Sequence, residues 1–169
     1  MADDRGETRG ERNLDYDTAI VLLRHELRRV ACNARVFALR SRARPTLLSA
    51  RSWAELAQIE AELQDLLEHT LRLELHVEPW TGWGRVQTGI SSFLSSLRGE
   101  RRLLESLLEE ATRHPIEHWR NDAPQLEDAL WPFLSGRTRY LANMLALALD
   151  EPAPFPPLLW QPRRRQFTS

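Results

Sequence analysis

Apolar residues recur along most of this chain at steps of three and four, the period of an α-helix with one buried face. Ile20, Leu23, Leu27, Val30, Ala34 and Phe37 form the first stripe, which predicts a helix over residues 15–41, and Pro45 marks the break after it. Leu56, Ile59, Leu63, Leu66, Thr70 and Leu73 continue the period in a second helix. Ahead of it, Ser52 and Glu55 read as an S-x-x-E capping box, in which each side chain accepts the other residue's free backbone N–H. Pro79 is expected to end this segment, and the alternation of Leu71, Leu73, Leu75 and Val77 just before it is the one place where a strand fits.

After a turn at 79–84, Val86, Ile90, Phe93, Leu94 and Leu97 predict a third helix. Serines at 91, 92, 95 and 96 give it a small face that another helix can approach closely, which makes it the candidate central helix. Gly99 separates it from a fourth helix over 101–114, with Leu103, Leu104, Leu107, Leu108 and Ala111 inward. Asp122 and Gln125 resemble a second capping box, opening a short helix to Trp131 that Pro132 bends or ends. Ser135 can then cap a last helix over 136–149, with Leu141, Met144, Leu145 and Ala148 inward. The whole reads as an all-α fold, a compact bundle of about five to seven helices. The bundle domain spans 14–150, between a disordered polar arm at 1–13 and a Pro-rich extended tail at 151–169.

A length of 169 residues suits one domain. No apolar run approaches the ~20 residues of a membrane span, and residues 1–13 carry no apolar core of a secretory signal, so a cytoplasmic location is expected. All 23 basic residues are arginine; a GC-rich genome and selection for bidentate contacts both account for a lysine-free chain. The net charge of −1 hides an asymmetry. Residues 18–51 hold eight arginines and one acid, Glu26, whereas 52–78 hold seven acids and one arginine, Arg72. Such helices favour lying side by side, unless the basic one meets an acidic partner or nucleic acid. Cys32 is the only cysteine, so no intrachain disulfide forms; in an apolar stretch it reads as a small buried hydrophobe.

Little in the chain suggests catalysis. His114-Pro115-Ile116-Glu117-His118 matches H-x-x-E-H, but Pro115 places His114 at or before a first helical turn, so the two imidazoles need not share a face. Paired acids such as Glu109–Glu110 have no neighbouring base or nucleophile, and no glycine-rich phosphate loop occurs. No cofactor and no metal are expected. Arg40, Arg42 and Arg44 cluster at a helix end, where they complement the macrodipole; with Arg163, Arg164 and Arg165 they are the candidate nucleic-acid contacts. Trp53, Trp119 and Trp131 suit core positions at helix ends, Trp80 and Trp83 flank a turn as packing plugs, and Trp160 lies in the tail.

Gly82-Trp83-Gly84-Arg85-Val86, opening a hydrophobic helix, resembles the first homology motif of the B-cell-lymphoma (Bcl) apoptosis-regulator family, with Gly82 in place of its asparagine. Ile116-Glu117-His118-Trp119 is similar to the start of that family's second motif, without its glycine pair and following tryptophan. The first helix, with Ile20, Val21, Leu22, Leu23 and Leu27, is similar to its amphipathic N-terminal motif. The resemblance implies a helical bundle around a central hairpin and a groove that receives a partner's amphipathic helix. It also implies that Arg85 pairs with an aspartate there and that Gly84 allows close approach. Trp83, Gly84, Arg85 and Trp119 are thus the candidate partner-binding residues. The expected function is a non-enzymatic protein–protein interaction or regulatory module. The alternative is a small helical subunit of a nucleic-acid-associated assembly, such as a bacterial RNA-guided defence complex.

Overall fold

The computed structural model describes residues 7–113 and 130–156. Among them the chain is all-helical: α1 Glu7–Arg42, α2 Ala50–His69, α3 Gly82–Ser96, α4 Glu100–Arg113 and α5 Leu130–Ala148. α1 begins eight residues before the expected start, taking in part of the polar arm.

α1 and α2 form an antiparallel hairpin. Val36 and Phe37 meet Trp53 and Leu56 at one end, with the Phe37 and Trp53 rings 5.3 Å apart, while Leu23 and Leu27 meet Leu63 and Leu67 at the other. α4 adds Leu103, Leu104, Leu107, Leu108 and Ala111 to the first cluster, all buried as their spacing predicts. α5 runs through both, with Leu130 and Leu134 in the second and Leu141, Ala142 and Leu145 in the first. Cys32 is partly buried against the first cluster.

Several local expectations are corrected. The cap of α2 is Ser49, whose hydroxyl accepts the Ser52 N–H at 3.0 Å, and Glu55 pairs with Arg51 instead of reaching back. Residues 71–77 form no strand: α2 continues into one π-turn, Thr70–Glu74, which buries Thr70 and Leu71. It stops before Pro79, because His76 turns left-handed (φ 52°) and the Val77 N–H closes onto the Leu71 carbonyl at 2.9 Å. Pro132 does not end a helix. It falls in the first turn of α5, where a missing N–H costs no intrahelical bond, and α5 passes Ser135 without a break. The second capping box lies outside the described residues.

The loop between α1 and α2 is fastened by one carboxylate. Glu100, at the start of α4, accepts from the N–H groups of Thr46, Leu47 and Leu48, from the Thr46 hydroxyl and from Trp53 Nε1. Burial pushes its pKa up, but these donors outweigh it and hold the carboxyl down at about 2.

Candidate functional site

α3 is where the structure departs most from an ordinary surface helix. Thr81 caps it, its hydroxyl accepting the Gly84 N–H at 3.0 Å. The buried face is Gly84, Thr88 and Ser92, three small residues at four-residue steps, and it packs against α1. A Cβ at Gly84 would make an ordinary contact with α1, 3.6 Å from Arg28 Cδ, but would crowd the capping Thr81 hydroxyl at 3.0 Å. The hydroxyls of Thr88 and Ser92 bond back to the Gly84 and Thr88 carbonyls, so this face is small and satisfied within its own helix. Arginines of α1 tie down the rest. Arg28 donates to Gln87 Oε1 at 3.2 Å, and Arg40 donates to the carbonyls of Ser96 and Arg98, which α3's end leaves free.

With the small face inward, the large apolar residues point out. Trp83 is 72 % exposed, Phe93 63 % and Leu97 67 %, and Val86, Ile90 and Leu94 are at least half exposed. Trp83, Val86, Ile90, Phe93 and Leu97 alternate steps of three and four, the a/d seam of a coiled coil, on the side opposite Gly84, Thr88 and Ser92. No α3 residue belongs to either apolar cluster. α3 is therefore not the central helix. The close approach through small residues is real, but it seats α3 on the outside of α1.

The expected site residues separate accordingly. Trp83 heads the exposed ridge and is no packing plug; Trp80 is, half-buried against the second cluster with its Nε1 donating to Glu68 at 2.9 Å. Gly84 is buried on the α1 side of α3, opposite the exposed ridge. Arg85 is exposed, and its guanidinium has no hydrogen-bond or ion-pair partner among the described residues. Trp119, the H-x-x-E-H segment, Trp160 and Arg163–Arg165 lie outside the described residues. Of the basic cluster, Arg42 and Arg44 are exposed, whereas Arg40 is spent on α3's end.

A second constellation escaped the sequence reading. Glu26 of α1, Glu60 of α2 and Arg137 of α5 are buried together where the two apolar clusters meet. Arg137 Nε donates to Glu60 Oε1 at 2.9 Å, its Nη2 does the same, and its Nη1 lies 3.8 Å from Glu26. Arg29 binds Glu26 through two donors. Burial pushes both carboxyls up. Arg29 and Arg137 overcome that at Glu26 and hold it below the usual range, but Glu60 stays raised. The signal was present: Glu60 sits in register within Leu56–Leu63–Leu67, and Arg137 within Leu134–Leu141. Opposite charges interrupting two apolar stripes point to a buried pair.

Among the described residues no cluster of histidine, cysteine and carboxylate side chains is placed to hold a metal, and no helix is long and apolar enough to cross a membrane. No protein-family model matches the chain, and neither a curated protein nor a solved structure matches it.

Proposed function

We propose that this chain is a non-enzymatic protein–protein interaction module whose docking element is the outward face of α3. The carrying observation is the inversion of that helix: small residues packed on α1, and six large apolar side chains left in solvent. Leaving that face half uncovered forgoes roughly 1–2 kcal/mol per large side chain, which a partner recovers. Exposed apolar patches of this kind mark interaction sites. The a/d spacing commits the occupant to a helix of a partner protein with an apolar seam of its own. The Bcl-like reading enters through Trp83, at the head of the seam, and Arg85, an unengaged cation at its rim suited to an acidic residue on that helix. Here α3 supplies a ridge, so the groove belongs to the partner.

The test is recovery of partners from host extract, with and without nuclease, on the parent protein and on an Ile90→Asp/Phe93→Asp variant. Both side chains are exposed, so the variant keeps the parent's helical circular dichroism. A nuclease-resistant helical partner that crosslinks to α3 and disappears with the variant is the expected result. Unchanged recovery on the variant sinks the proposal. Recovery lost to nuclease and to Arg42→Gln/Arg44→Gln moves the function to a nucleic-acid-associated subunit.

A further inference from the structure

Under α3, on the side away from the ridge, lies a cleft lined by charged, polar and apolar side chains. α1 is its floor, α3 and α4 are its walls, and its volume is about 320 Å³, near the lower end of small-molecule sites. The charged lining is unbalanced. Arg29 is matched by Glu26 and lies 3.7 Å from Glu110. Arg28, on the floor, spends its donors on the Arg24 carbonyl at 3.3 Å and on Gln87. Arg98, between α3 and α4, reaches only the Ser106 hydroxyl at 3.4 Å. Neither Arg28 nor Arg98 has a carboxylate partner among the described residues. Asn33 also lines the cleft; it is 7 % exposed, yet its amide nitrogen has no acceptor among the described residues. A buried donor left unmade is costly, and a ligand oxygen removes that cost.

We infer that this cleft binds a small organic phosphate. What it has left over is donors: the remaining guanidinium N–H groups of Arg28 and Arg98 and an amide N–H, the equipment that holds phosphate oxygens. With Arg29 taken by Glu26, the lining keeps Arg28 and Arg98 against one carboxylate, Glu110, and this net positive charge suits a phosphate monoester, which carries about −1.5 to −2 near neutral pH. Val36, Leu103 and Leu107 give the cleft an apolar part for the organic group.

The experiment titrates the full chain with inorganic phosphate and with phenyl phosphate at low ionic strength. Two readouts are followed: the thermal midpoint, and the rate at which iodoacetamide alkylates Cys32, the lone thiol lining the cleft. Both probes should raise the midpoint saturably and slow alkylation, with phenyl phosphate the tighter. Arg28→Gln/Arg98→Gln should weaken both by about tenfold or more, since each hydrogen bond to a charged group is worth roughly that factor. Asn33→Asp, which places a carboxylate in the cleft, should weaken them too. If it unfolds, the arginine pair alone decides. Arg42→Gln/Arg44→Gln, remote from the cleft lining, should change nothing. The inference is overturned by a non-saturable response, by equal loss in that control, or by phosphate and phenyl phosphate binding equally well.

Discussion

Arg137 has no exposed surface, so its charge has to be matched inside the protein. Glu60 and Glu26 do this from two other helices, and removing the arginine would strand Glu60. Arg137→Leu should therefore cost about 3–5 kcal/mol, read as a shift in urea midpoint by circular dichroism. Glu60→Leu/Arg137→Leu should regain more than half of that loss, because Glu26 keeps Arg29 and an apolar pair suits a layer between two apolar clusters. A fully stable Arg137→Leu single variant would show that the pair is idle. Glu100 makes a different prediction, since its folded pKa is depressed to about 2 from an ordinary 4.5. Its stabilisation is present above the unfolded value and disappears as pH falls through 4.5 toward 2. Glu100→Gln should lower the thermal midpoint at pH 6 by several degrees, in line with about 2 kcal/mol for hydrogen bonds to a charged acceptor. The gap between parent and variant should close across that acidic window, and a pH-independent gap would contradict the assignment.

Helix periodicity made α1, α2 and α4 legible from the residues alone, since each buries one wide apolar stripe and little else. It did not say which way α3 faces. An amphipathic pattern defines two faces, and the rule that the apolar one turns inward fails when a small face offers closer packing and the core is already filled by other helices. Helix ends were read less well than helix bodies. Ser49 and Ser52 are both cap-forming types, and only the backbone at Ser49, φ −60° and ψ 152°, selects the first. Of the candidate partner-binding residues, Trp83 and Arg85 are exposed, Trp119 lies outside the described residues, and Gly84 is a packing residue. That last point is testable on the element itself. Gly84→Leu puts a large side chain where even a Cβ meets the Thr81 hydroxyl at 3.0 Å. It should lift the start of α3 from α1 and speed amide exchange across α3 at least tenfold, with the global urea midpoint nearly unchanged because α3 belongs to neither apolar cluster. A large drop in global stability would mean that α3 is integral to the bundle.

At the scale of the molecule, the two apolar clusters are not two folding units. α1, α2 and α5 each contribute to both, and the Glu26–Glu60–Arg137 layer binds the same three helices at the junction. Opening either cluster would pull a buried charge out of its pairing, so the bundle should unfold as one cooperative unit while α3 opens separately at lower free energy. Trp53 sits fully buried in the first cluster and Trp80 half-buried against the second. Variants retaining only one of these tryptophans, with the others replaced by phenylalanine, then report on each cluster by fluorescence. Their urea midpoints should coincide with each other and with the loss of helical signal once each variant is referenced to its own stability. Separated midpoints would mean that the charged layer divides the bundle rather than joining it. Exchange of α3 amides should proceed well below those midpoints, as expected of an element that belongs to neither apolar cluster.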